Sequence, residues 1–154
     1  LIQFSPKANL RHPGSYSPKE EFLTGSFREV IDDRFADDPS KVTKVLFCSG
    51  KVYFDLAEYQ QKGNYKDTAI VRLEQIYPLP VKQLEGLYNK YNKATWFWVQ
   101  EEPLNMGAAS FLQMNLKTIN YGVISRQPSA SPATGFGKVH AQEQKEIIET
   151  AFGI

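Results

Sequence analysis

The sequence predicts a Rossmann-like three-layer α/β sandwich built on a mostly parallel sheet. Four apolar runs, rich in β-branched and aromatic residues, recur about every 25 residues. Each is nearly continuous in apolarity, as suits strands covered on both faces. Runs with helical periodicity lie between them, and strand–helix alternation at this spacing is the pattern of a parallel sheet with right-handed crossovers.

Taken in order, residues 1–40 read as an arm or linker and residues 41–154 as the α/β domain. The arm is rich in Pro, Ser and Gly over "SPKANLRHPGSYSPKEEF" and acidic over "DDRFADDPS", and it is expected to dock elsewhere. The first strand is "KVLFCS" (44–49). In the following "SGKVYFDLAEYQQKG", Val52, Leu56 and Tyr59 share a helix face, with Ser49 placed as N-cap and Gly63 as the C′ residue. The second strand is "TAIVRLE" (68–74). Val81, Leu84, Leu87, Tyr88 and Tyr91 then form one apolar helix face, with Pro80 at a first turn. The third strand, "ATWFWVQE" (94–101), carries a "WFWV" run read as core. A short helix puts Ala108, Leu112 and Leu116 on a stripe before the fourth strand, "YGVISR" (121–126). The last helix, "HAQEQKEIIETAF", aligns Ala141, Gln144, Ile148 and Ala151, flanked by Ile147 and Phe152.

Composition narrows the functional classes. The 154 residues are 42% hydrophobic and 23% charged with a net charge of +1. That balance is ordinary for a globular domain, and it lacks the electrostatic footprint of a nucleic-acid binder. No apolar run approaches the ~20 residues of a membrane span. A lone cysteine, Cys48, leaves no partner for an internal disulfide and points to a reducing compartment. Inside an apolar strand, it reads as an inert core thiol. The opening Leu-Ile-Gln-Phe has neither methionine nor a signal-peptide pattern, and is expected of a piece of a longer polypeptide.

Ligands of open parallel sheets bind outside the carboxyl ends of the strands. Those ends read Ser49-Gly50-Lys51, Glu74-Gln75, Gln100-Glu101-Glu102 and Ser125-Arg126, so charged groups should converge on one edge. The loop "SPATGFGKVH" (131–140) resembles a phosphate cradle but fails both tests for one. Pro132 stands where a Walker loop needs its first glycine, and Val139 follows the lysine. His140 stands where a dinucleotide fingerprint needs its third glycine. Gly135 and Gly137 are therefore read as supplying freedom for a tight turn. Glu101 and Glu102 are neighbours on an extended strand and point to opposite faces, which argues against a catalytic dyad. Neither His12 nor His140 has a second ligand of the right type at i+3 or i+4, so no metal site is expected, and His140 reads as a structural residue at a helix start.

Five strings in order, "SPKANLRHP", "VLFCSGKVYFDL", "AIVRLEQIYPLP", "WVQEEPLNMGA" and "SASPATGFGKVHAQEQKEIIETAF", resemble the carboxyl-terminal domain of one family. That family is the thiamine diphosphate-dependent first component of the 2-oxoglutarate dehydrogenase complex. The resemblance covers about residue 4 to residue 153 and implies a fold like the transketolase carboxyl-terminal domain. It implies a parent oxidoreductase of the citric acid cycle that decarboxylates 2-oxoglutarate and succinylates a lipoyl group. Thiamine diphosphate and magnesium would sit in preceding domains, leaving this piece without catalytic residues or a cofactor of its own. The implied roles are dimerisation and bracing through the turn that holds Gln100, Glu101, Glu102, Asn105 and Gly107. Allosteric binding of acetyl-coenzyme A at Arg11, Lys51, Arg126 and Lys138 is a further implied role, since arginine forks suit phosphate. The implied partners are the preceding domains of the same chain, a homodimer partner and the dihydrolipoamide succinyltransferase component. Two other readings stand beside this one: an independent coenzyme- or nucleotide-binding module, and a free-standing enzyme using Glu101 or His140 as acid or base.

Overall fold

The computed structural model describes Ile2 and residues 7–153. Ser5 and Pro6, the first residues of the string "SPKANLRHP", lie outside the described residues. Strand β2 (Lys44–Cys48), β3 (Thr68–Leu73), β4 (Thr95–Pro103) and β5 (Tyr121–Arg126) run parallel. A short strand, β1 (Val30–Ile31), pairs antiparallel with β3, and the sheet order is β1-β3-β2-β4-β5.

Period-two alternation along the strands builds both cores. Val45, Phe47, Val71, Trp96 and Trp98 face one side, where α3 (Val81–Lys90) and α4 (Ala109–Asn115) contribute Leu84, Ala109 and Leu112. Leu46, Cys48, Ile70 and Val99 face the other, against Val52 and Leu56 of α2 (Val52–Gly63) and Ile147, Ile148, Ala151 and Phe152 of α5 (Gly137–Phe152). The expected three-layer sandwich is thus present, and the continuous apolarity of β2 and β3 follows from this double coverage. The "WFWV" run is core: Trp96 and Trp98 are buried, and Phe47 packs near both rings.

Residues 1–40 divide in two. After a first 3₁₀ turn (Lys7–Arg11), a second (Pro13–Ser15) and α1 (Lys19–Thr24) bury no residue in their helical segments, whereas Val30 and Ile31 join the sheet. Asp33 then pins this stretch to the domain. Its Oδ2 accepts from Ile70 N at 2.8 Å and Gln60 Nε2 at 3.0 Å, while Oδ1 accepts from Phe35 N and Ala36 N at 2.7 and 2.6 Å. The buried Gln60 amide also donates to Thr68 O at 2.6 Å. The acidic run is therefore a set of internal acceptors. Asp32 takes hydrogen bonds from Tyr91 and Lys90, Asp37 from Lys66, and Asp38 caps the turn Pro39–Lys41.

Several local expectations are corrected. Ser49 does not cap α2. Gly50, with φ 75°, turns the chain, and Lys51 precedes the helix without a side-chain cap. The left-handed residue closing α2 is Asn64 (φ 53°) rather than Gly63, which ends the helix itself. Gly63 is small for another reason, because a Cβ there would overlap the Tyr65 ring at 2.1 Å. Gly135 and Gly137 have no positive φ, and Gly137 already belongs to α5, so the loop does not use their freedom as a tight turn. Ala141 of α5 is exposed, and Ala109 rather than Ala108 takes the core position of α4.

Candidate functional site at the carboxyl edge of the sheet

In this strand order α2 leaves β2 toward one face and α4 leaves β4 toward the other. The topological switch point, where a ligand would enter, therefore lies between the ends of β2 and β4. The chain itself fills that crevice. Lys51 Nζ lies 2.6 Å from Glu101 Oε1 and 3.3 Å from Asp55 Oδ2, with side chains only 30% and 20% exposed for the Lys51–Glu101 pair. Burial opposes the Lys51 charge, but the hydrogen bond and charge of Glu101, backed by Asp55, outweigh it and hold the lysine above its ordinary pKa. Glu102, the next residue, is exposed, as strand alternation predicts.

Arg126 continues the line of charge. Its Nε donates to Glu101 O, its Nη1 donates to Thr134 Oγ1 at 3.0 Å, and the same nitrogen lies 3.5 Å from Glu143 Oε2. Thr134 in turn donates to Glu143. With the Arg126 side chain 10% exposed, its fork is spent on holding the loop 127–136.

Gln100 organises the turn beside it. The buried Oε1 accepts from Trp98 Nε1 at 2.8 Å and from Ala109 N at 3.0 Å. Its Nε2 donates to the carbonyls of Met106 at 2.8 Å, Pro103 at 3.1 Å and Glu102 at 3.3 Å. Gly107 sits over this amide with φ 66°, where a Cβ would come within 3.0–3.1 Å of the Gln100 side chain. Asn105 is tied as well, donating to Ser129 O and accepting from Ser129 N, both at 3.0 Å. Of the turn residues expected to meet a partner, Gln100 and Asn105 thus act inside the chain, and Glu102 remains open at the surface with Leu104 (42% exposed).

The four cations proposed for an anion site are not gathered into one cavity. Arg11 is exposed on the first 3₁₀ turn, Lys138 is exposed on the first turn of α5, and Lys51 and Arg126 are consumed as described. Three arginines, Arg28, Arg34 and Arg72, do share a cavity. They line a space of about 410 Å³ between the arm and the ends of β2 and β3, with Gly50, Tyr53 and Phe54. Arg72 lies 4.4 Å from the Tyr53 ring centroid and 2.9 Å from Glu74 Oε1; Arg28 pairs with Glu21 at 3.0 Å. Arg34 has no ion pair among the described residues. The arm is fastened there by His12, whose ring lies 4.5 Å from that of Phe54 and whose Nδ1 accepts from Gly14 N at 3.1 Å.

His140 is half-buried at the start of α5, where Glu143 three residues on is tied to Arg126 and Thr134, and among the described residues no three His, Cys, Asp or Glu side chains converge as a metal site. At the switch point the crevice is filled by the Lys51–Glu101 ion pair, an arrangement that does not fit a thiamine diphosphate–magnesium pair. Cys48 is fully buried, and desolvation pushes its thiol up to about 12. Among the described residues no helix is long and apolar enough to cross a membrane. Sequence reasoning missed Asp33, Ser129, Thr134 and Glu143. Only Asp33 left a signal, an Asp-Asp pair in a loop, where such side chains take up free backbone amides.

Two relatives share this chain throughout. It is 40% identical over 157 residues to the 2-oxoglutarate dehydrogenase E1 component of Haemophilus influenzae, covering 98% of this chain and 17% of the relative. It is 42% identical over 162 residues to an oxoglutarate dehydrogenase of Buchnera aphidicola, covering 100% of this chain and 18% of that relative. The chain thus spans less than a fifth of the length of the curated relatives it matches. The family model described as 2-oxoglutarate dehydrogenase C-terminal matches residues 16–152, and the chain belongs to that family.

Proposed function

We propose that this chain is the non-catalytic bracing domain of a larger 2-oxoglutarate dehydrogenase. In this reading the parent decarboxylates 2-oxoglutarate and passes the succinyl group to a lipoyl group of the dihydrolipoamide succinyltransferase component, as a homodimer in the cytoplasm. Thiamine diphosphate and magnesium are held by other domains of that parent. The observation that supports this most is the state of the carboxyl edge. Lys51, Glu101, Arg126, Glu143 and Gln100 are all engaged with one another or with backbone, leaving a stiff surface that presents Glu102 and Leu104 outward. A preorganised surface of this kind lowers the ordering cost of docking.

An effector role for acetyl-coenzyme A is favoured by one specific observation, the cavity lined by Arg28, Arg34 and Arg72 beside the Tyr53 and Phe54 rings. Arginine forks suit the phosphates and the rings suit an adenine. Thermal unfolding of the purified chain tests both readings. Acetyl-coenzyme A at a hundred times its Kd should add about 2.7 kcal/mol to stability by mass action, and Arg72→Ala should abolish the gain. Thiamine diphosphate with magnesium should leave the melting temperature unchanged, and 2-oxoglutarate should not be turned over. A strong shift with thiamine diphosphate, or measurable turnover, would overturn the bracing role.

A further inference from the structure

The outer edge of β5 carries an observation that the bracing role does not use. Among the described residues β4 is the only strand paired with β5, so one side of a six-residue strand keeps its backbone N–H and C=O groups unpaired. Open edges of this length are normally blunted by proline, lysine, a bulge on the edge strand or a covering element. β5, "YGVISR", contains no proline or lysine before its terminal Arg126, and Arg126 is turned inward. A groove of about 580 Å³ runs along this edge. Consecutive residues 123–129 line it, and consecutive strand residues point to opposite faces, so the groove meets the backbone edge rather than one face of the sheet. Its far wall is a stripe of α5 with buried Ile147, exposed Glu146 and Thr150, and Glu143, which is already paired with Arg126 and Thr134.

We propose that this edge is a docking site for an extended, basic segment of another polypeptide, added as a sixth strand. Main-chain pairing supplies the geometry and alternate side chains the selectivity. An apolar residue would rest on Val123, and the next residue, a cation on the opposite face, would meet Glu146 of α5, whose side chain among the described residues bonds only to Gln142 on the same helix. A second copy of this chain is a poorer occupant. Antiparallel pairing of two β5 strands about a two-fold axis would bring the two α5 helices side by side and set one Glu146 toward the other without a cation between them. The inference stands apart from the family reading, because it needs only the open edge and its acidic wall.

The test uses the purified chain, a synthetic peptide alternating lysine and valine, the same peptide N-methylated on alternate amides, and one alternating glutamate and valine. The lysine peptide should slow hydrogen exchange at alternate amides of β5, and the N-methylated peptide should not. Glu146→Lys, on an exposed position outside the core, should weaken the lysine peptide about twofold to tenfold and strengthen the glutamate peptide. Absence of protection, or binding that ignores N-methylation, would refute strand addition. Equal affinity for both charges would refute the basic partner. Protection of β5 that grows with protein concentration without peptide would assign the edge to a second copy instead.

Discussion

Gln100→Leu isolates the contribution of a single buried amide to the site. Leucine keeps the volume and removes every polar atom, so packing loss is small and the hydrogen-bond loss is cleanly exposed. Two donors are stranded in the core by the change, Trp98 Nε1 and the backbone N of Ala109, together with the carbonyls of Pro103 and Met106. Leaving a buried polar group without a partner costs about 1–3 kcal/mol. Counting only the two donors, because the turn carbonyls can rotate toward water, gives about 2–6 kcal/mol against a total stability of about 5–15 kcal/mol. For a chain of this length about 4 kcal/mol corresponds to a fall of roughly 8–16 °C in melting temperature. Urea denaturation of the purified chain measures the difference, and hydrogen exchange at the Ala109 amide shows whether the start of α4 has loosened. Glu102→Gln, on the exposed neighbour, serves as the control and should lie within about 0.5 kcal/mol of wild type. A Gln100→Leu protein as stable as that control would refute the claim that this amide holds the turn.

Asp33→Ala should cost about 1–3 kcal/mol in urea denaturation, chiefly from the stranded Ile70 amide, and should speed hydrogen exchange in β1 and β3. Lys51 has a folded pKa raised above its unfolded value of about 10.4, so its stabilising contribution is complete below that pH and is lost as pH rises through the folded value. The stability difference between wild type and Lys51→Met should accordingly be flat through neutral pH and shift against wild type only in the alkaline range. A difference that already varies with pH between about 6 and 9 would contradict the pairing with Glu101. Cys48, with its thiol pushed up to about 12 and fully buried, should resist a thiol-directed disulfide reagent in the native protein and react at once in concentrated guanidinium.

The layers of this fold were readable because burial on two faces writes itself into consecutive residues. Val45 to Cys48 and Ala69 to Val71 must all be apolar, whichever face each one serves. The start of the sheet was not readable for the opposite reason. Val30 and Ile31 form a two-residue strand, too short for any period to appear, and its position is set by Asp33 reaching Ile70 across the fold. The charged edge was predicted from topology alone, and the opposite directions of Glu101 and Glu102 followed from strand geometry. The use to which the charges are put was hidden, because pairing depends on side-chain reach between elements distant in sequence, as with Arg126, Thr134 and Glu143. The helix ends were misjudged where one glycine stood in for another cause: Gly63 makes room for Tyr65, and the adjacent Asn64 takes the left-handed turn.

The same pairing decides what chemistry the edge can support. A lysine acts as nucleophile or base only when its pKa is drawn down toward neutrality by burial or a neighbouring cation. Lys51 has the burial, yet Glu101 and Asp55 reverse its effect and keep the proton on more firmly than in water. Glu101 spends its Oε1 on that same contact, so a substrate group meeting that oxygen has to displace Lys51. Reaction through Lys51 or through that oxygen of Glu101 would therefore require breaking a partly buried ion pair and leaving one half of it uncompensated, which is the costly direction for any such pair. The arrangement favours holding two loops still over turning over a substrate at this edge.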